Sequence, residues 1–250
     1  MPPFLKSLPA LILLAIATPR ASSVAPAEEA PAEIRIGKAP RPAPKPDPAQ
    51  MRAVEGFLAA RQSASIDRSR APAARRWLTG AVKVDAATLA GESGQTLVAF
   101  DFTDGSIERM GEGRFRASAY LLFADRHGRV TESRDEVLTF SGGGQGYGCT
   151  SLKTASVMHW DSEEVVKSAD RLRSRQALDQ ADEFLRAWAT RQTRLGAYSI
   201  EGVYPAGASR IMIPCLKFTA ELGKRGYDVV DSPIMMRRGP KGYQIEPVAN

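Results

Sequence analysis

Two histidines, two cysteines and a scatter of carboxylates are the side chains of this 250-residue chain that could support proton transfer, nucleophilic attack or metal binding. His127 stands in Asp125-Arg126-His127-Gly128, a turn sequence that leaves its side chain exposed. His159 precedes Trp160 at the end of a strand-like run. It reads as a partly buried strand residue or as a residue at a pocket mouth. Cys149 and Cys215 add no pair close enough in sequence to a histidine for a zinc site, so no metal is assigned. Glu132, Asp135 and Glu136 could exchange protons only if buried together with raised pKa values. Arg134 lies between Glu132 and Glu136 on one strand face, and a solvated ion-pairing face is the plainer account.

Ser141-Gly142-Gly143-Gly144-Gln145-Gly146-Tyr147-Gly148 invites comparison with phosphate-binding loops. Such loops lead from a strand into a helix, whose free amides meet the anion. Here Cys149 to Trp160 follows, with Thr150, Thr154 and Val157, no helical stripe and no Gly-Lys-Ser/Thr. The stretch predicts a glycine-rich hairpin instead, because glycine accepts the positive φ that tight reversals need. No G-x-S-x-G elbow offers a nucleophilic serine. No catalytic residue and no cofactor follow from these patterns, and the reading leans away from an enzyme.

The elements around these residues come in a clear order. Lys6, the apolar run Leu8 to Ala17 and the small residues after it resemble a secretory signal in residues 1–23. The run is short for a membrane span. An exported chain, periplasmic or secreted, is therefore expected, with an uncleaved N-terminal anchor as the alternative and the sole membrane attachment. Residues 24–47 form a spacer whose prolines at 40, 42, 44, 46 and 48 favour extended polyproline II. In an exported chain Cys149 and Cys215 are candidates for one disulfide. It would close a loop of about 65 residues and stabilise by roughly 4 kcal/mol, provided the Cα atoms approach within about 7 Å. Cys215 lies on the strand face opposite Leu216, which points it away from the second core.

The formal charge of +6 falls to about +4 without residues 1–23. The arginine groups at 75–76, 171–175 and 237–238 lie far apart in sequence, so solvated faces explain them better than a nucleic-acid surface. The expected partner is an envelope protein or polymer of unknown identity.

Asp47, Pro48 and Gln50 announce a helix whose stripe is Met51, Val54, Phe57 and Leu58. A second helix is expected over Pro72 to Thr79, with Trp77 and Leu78 inward and Gly80 as its stop. The period then changes to two. Gln95 to Phe102 places Val98, Phe100 and Phe102 on one face, and Arg114 to Phe123 alternates Phe115, Ala117, Ala119, Leu121 and Phe123 with polar residues. Val98, Phe100, Phe115 and Phe123 either fill a core or line a conical cavity. Arg129 to Phe140 returns, and the glycine hairpin follows. Asp161 to Arg194 is helical, with Leu178, Ala181, Leu185 and Trp188 on one face. Strands are expected at 198–204, 211–222, 227–234 and 243–248, with Pro214 at an edge or bulge.

The predicted class is α+β, with helices packed on curved antiparallel sheets. Two tandem helix-plus-meander units are expected, a first domain over 48–160 and a smaller one over 161–250. A weak repeat supports this: Glu55-Gly56-Phe57-Leu58 echoes Asp182-Glu183-Phe184-Leu185, and G-x-x-G-Y occurs at Gly143–Tyr147 and Gly239–Tyr243. True duplication and chance both account for it. The pattern resembles the nuclear-transport-factor-2-like superfamily, which includes ketosteroid-isomerase-like and cystatin-related folds. Arg238-Gly239-Pro240-Lys241-Gly242-Tyr243-Gln244-Ile245 is similar to the final hairpin of that group. The resemblance implies helices seated in a curved antiparallel sheet. That group holds isomerases, hydrolases and non-catalytic modules, so it fixes no activity. The isomerase's Tyr and Asp pattern matches no pair here. The reading is an exported, non-catalytic binding protein, and the alternative is a small-molecule or enzymatic domain that uses the cone of the first unit.

Overall fold

In the computed structural model, residues 45–79, 82, 84–143, 146–160, 164, 165, 167 and 175–247 are described. The expected signal segment, most of the spacer, Gly80, the hairpin tip at 144–145 and the helix start at Asp161 lie outside them.

Helix α1 (Pro48–Ile66) begins as its sequence predicts. The Ala49 amide donates to Asp47 Oδ1 at 2.8 Å, and the Asp47 amide donates to Gln50 Oε1 at 3.2 Å. The stripe of Val54, Phe57 and Leu58 is fully buried, and the same face continues into Arg61, Gln62 and Ser65. These polar groups are buried because each is satisfied. The Leu97 amide donates to Ser65 Oγ at 2.8 Å, and Gln62 Nε2 donates to the Val98 carbonyl at 3.1 Å. Helix α2 (Ala71–Arg75) ends earlier than expected. Its continuation is captured by a strand: the Cys149 amide donates to Trp77 O at 2.7 Å, and the Thr79 amide to Cys149 O at 3.0 Å. Trp77 and Leu78 do pack on the core. Trp77 lies so close to α1 that a Cβ at Gly56 would sit 2.6 Å from its ring. A short helix α3 (Ala86–Ala90), capped by Asp85, was not predicted.

The first sheet runs β1 (Gln95–Asp101), β3 (Arg114–Asp125), β4 (Val130–Gly143), β5 (Gly146–His159), with β2 (Ile107–Gly111) on the start of β3. All its pairs are antiparallel. Alternation on β3 turns Phe115, Ala117, Ala119, Leu121 and Phe123 toward α1, as expected. Phe115 stacks on Phe140 with centroids 4.9 Å apart, and Phe57 meets Phe140 edge-on at 6.0 Å. The expected face of β1 needs one correction. Leu97 pairs with Phe123 and Ala99 with Leu122, so Val98 is the extra residue of a bulge. Leu97, Phe100 and Phe102 face α1, while Val98 and Ala99 join a different core on the other side.

The second half contains helix α4 (Arg175–Arg191) and two small sheets. One is β10 (Asp228–Asp231), β9 (Cys215–Ala220), β6 (Leu195–Ile200), and the other β12 (Gly242–Ile245), β11 (Ile234–Gly239), β8 (Arg210–Ile213), β7 (Tyr204–Pro205). The runs expected at 211–222 and 227–234 are each cut, at Pro214 and Ser232–Pro233. Proline offers no ladder donor. Because Ile213 pairs with Ile234 and Leu216 with Asp231, one long hairpin bends there and serves both sheets. Ala177, Leu178, Ala181 and Leu185 of α4 pack on Ile213, Cys215, Ile234 and Met236. Both G-x-x-G-Y strings form hairpins of identical register, Gly143↔Gly146 and Gly239↔Gly242.

A third core joins the halves. Val98, Ala99, Leu122, Ala124 and Val130, on the back of the first sheet, pack against Ala197, Phe218 and Ala220 of β6 and β9. The Tyr198 amide donates to Gly128 O at 2.9 Å, and the Gly226 amide to Phe100 O at 3.1 Å. Packing among the described residues thus crosses the expected boundary at 160/161, which separates the sheets.

Candidate functional site

The register of the first sheet sets one row of side chains on its back. Asp101 pairs with Tyr120, Tyr120 with Asp135, and Asp135 with Ser156. Their face is fixed by alternation: Ala119 and Leu121 point to α1, while Tyr120 packs on the third core. Sheet spacing puts the Asp101 and Asp135 backbones about 10 Å apart, with the phenol between them. Among the described residues, the second half fully buries this back at Leu122 and Ala124 and leaves Tyr120 half-buried at the edge of the cover. Beyond that limit lies a groove of about 420 Å³, lined by Asp101, Ser118, Tyr120, Asp135, Val137 and Ala155 among others, with no basic residue in its wall.

Each polar group has a defined setting. Asp101 Oδ1 accepts from the Phe102 amide at 2.8 Å, and Asp135 accepts from Ser156 Oγ. Tyr227 of the second half packs nearby in the third core. Burial, then the neighbouring Tyr120 and the negative charge of Asp101, push its phenol up to about 12. Arg225 sits over the Phe102 ring at 4.7 Å. The groove therefore presents carboxylates, hydroxyls and an aromatic surface, and suits a ligand rich in hydrogen-bond donors.

The three carboxylates singled out from sequence do not act together. Asp135 faces the groove, whereas Glu132 and Glu136 point to the α1 side and are buried, not solvated as expected. Glu136 forms a fully buried bidentate pair with Arg61, Nη1–Oε2 2.5 Å and Nη2–Oε1 3.1 Å. Arg61 spends its remaining donors on the carbonyls of Leu89 at 2.9 Å and Thr88 at 2.8 Å, which anchors α3. Glu132 pairs with Arg134, whose guanidinium lies 4.5 Å from the Phe123 ring centre. Arg61 escaped the sequence reading, although it continues the stripe 54, 57, 58 by one turn.

His159 is exposed, with Nδ1 3.7 Å from Glu132 Oε2, and His127 sits in its turn beside Arg126. Cys149 and Cys215 are free thiols in different cores, the first and the second. Cys215 faces the second core, contrary to expectation, because it continues the alternation of Ile211 and Ile213, while Leu216 turns to the third core. Its Sγ donates to Ser232 O at 2.8 Å. Phe100, Phe115 and Phe123, the candidate cone lining, are fully buried in the core packed by α1. The glycine stretch leads from strand to strand. Among the described residues no three His, Cys, Asp or Glu side chains are grouped to hold a metal ion. No described helix is long and apolar enough to cross a membrane.

No family model and no curated protein matches the chain. Among solved structures it is similar to an Ntf2-like protein involved in plasmid conjugation, at 8% identity and a TM-score of 0.27, over 78% of this chain and 92% of that one. At that score the likeness supports no argument about site or activity.

Proposed function

We propose that this chain is an exported binding protein, of nuclear-transport-factor-2-like type, whose partner in the cell envelope docks on the back of the first sheet. The observation behind this reading is the groove that holds Asp101, Tyr120 and Asp135 where the cover of the second half stops. Binding sites favour such junctions, where a rigid sheet fixes the polar groups. The side facing α1 is filled by stacked phenylalanines and a satisfied ion pair, which favours the back over the cone. The fold type rests on the hairpin ending at Arg238 to Ile245, and export rests on residues 1–23.

A thermal-shift screen of residues 24–250 against envelope polymers and small metabolites tests it. A ligand at 100 times its Kd adds about 2.7 kcal/mol of stability. Such a ligand should raise the Tm of the native sequence and leave Tyr120→Ala unmoved. A ligand that raises both equally places binding elsewhere.

A further inference from the structure

The polar row in the groove crosses the strands, from Asp101 on β1 through Tyr120 on β3 to Asp135 on β4. Two strand spacings, about 10 Å, separate the carboxylates. Among the described residues Asp101 takes up the Phe102 amide and Asp135 the Ser156 hydroxyl. An ionised carboxylate accepts about four hydrogen bonds, so both retain capacity. Ser106 and Ser118 add hydroxyls to the wall. Tyr120 packs on the third core and also lines the groove.

The charges around the groove narrow the class of ligand. Two carboxylates and no base in the wall disfavour an anion. A cation meets opposition at the margins. Arg225 lies 4.7 Å from the ring of Phe102, a wall residue. Lys153 stands opposite Val137, another wall residue, and so shares its face. Acceptors flanked by bases suit a neutral ligand that brings many hydroxyl donors.

We propose that the groove binds a neutral glycan chain, laid across β1, β3 and β4. Its hydroxyls donate to Asp101 and Asp135, and one sugar ring rests on Tyr120. This rests on the docking reading above and names the ligand class. Two sugar rings joined in an extended chain span a length comparable to the gap between the carboxylates. The weakly positive C–H face of a sugar complements the negative face of a phenol ring. The groove of about 420 Å³ falls within the usual range of small-ligand clefts. Hydroxyl-to-carboxylate bonds carry no ion pair, so salt affects them little, whereas it screens attraction to a cation.

Calorimetric titration of residues 24–250 with cellotetraose and chitotetraose, and with spermine as a cationic probe, tests the class. At least one tetrasaccharide should bind, and its Kd should change less than about twofold between roughly 0.05 and 0.5 M salt. Asp101→Ala with Asp135→Ala should weaken that binding about tenfold or more, and so should Tyr120→Ala. If Tyr120→Ala loses its native circular dichroism, the aspartate pair carries the comparison, since neither carboxylate residue is fully buried. Spermine binding that the aspartate substitutions abolish, with no saccharide bound, overturns the glycan and leaves the docking reading standing. Saccharide binding that survives all these substitutions overturns the glycan site and counts against docking on this face. A saccharide affinity that falls tenfold with salt overturns the neutral ligand. Silence from every probe overturns the glycan alone, because the thermal-shift screen tests docking with other ligands.

Discussion

The two helix–sheet cores solve one problem in different ways. Around α1 the sheet is continuous, with strands of 12 to 14 residues in β3, β4 and β5, and the polar groups at its centre are sealed. Arg61 and Glu136 are both fully buried and bonded to each other. Around α4 the sheet is broken by Pro214 and Pro233, and the principal polar contact lies nearer the rim. There Tyr198 donates to Asp182 Oδ1 at 2.8 Å, while Arg186 and Arg129 also approach that carboxylate. Burial first, and then Asp182, push the Tyr198 phenol upward. A long unbroken sheet leaves an ordered back face to which ligands can dock. The broken one wraps its helix and lends its other face as a cover.

The largest expected effect breaks the sealed pair. Arg61→Met leaves Glu136 charged and buried, and should cost about 3–5 kcal/mol in urea unfolding. The double variant Arg61→Met with Glu136→Leu should recover most of that loss, since no uncompensated charge remains. Leu185→Ala, in the second core, should cost about 2–5 kcal/mol through the cavity it opens. Tyr198→Phe should cost only about 1 kcal/mol, because Asp182 retains Arg186 and Arg129. Equal losses from Arg61→Met and Tyr198→Phe would erase the contrast between the cores.

The last effect acts only in alkali. Burial pushes the thiols of Cys149 and Cys215 from 9.0 up to about 11 each. The folded state then holds protons that the unfolded state has released. Stability should be unaffected by these groups below pH 9 and should fall as pH rises from 9 to 11. Chemical denaturation across that range checks the slope, which Cys149→Ala should reduce. Both thiols should resist thiol reagents at pH 8 until the chain unfolds.

Local signals in the sequence were readable where one physical cause dominates. The Asp47 cap, the alternation of β3 and both glycine hairpins follow from hydrogen bonding, pleat and φ alone. The bulge at Val98 was not readable, because it is set by pairing with Phe123 and Leu122, far along the chain. β2 escaped because exposed side chains give it no two-residue alternation. The E-x-F-L echo misled in part: Phe57 is buried, but Phe184 is 46% exposed over Lys217. The groove row depends on two registers at once, so Asp101, Tyr120 and Asp135 carried no linear signature.

The binding reading meets its most direct test with a photo-crosslinking amino acid placed at exposed position 118, beside the groove, and at exposed position 183 on α4 as a control. Irradiated in the native cell, the probe at 118 should yield a discrete crosslinked product that Asp101→Asn with Asp135→Asn abolishes, and the probe at 183 should yield none. Equal products from both positions, or a product at 118 that survives the double substitution, would contradict it.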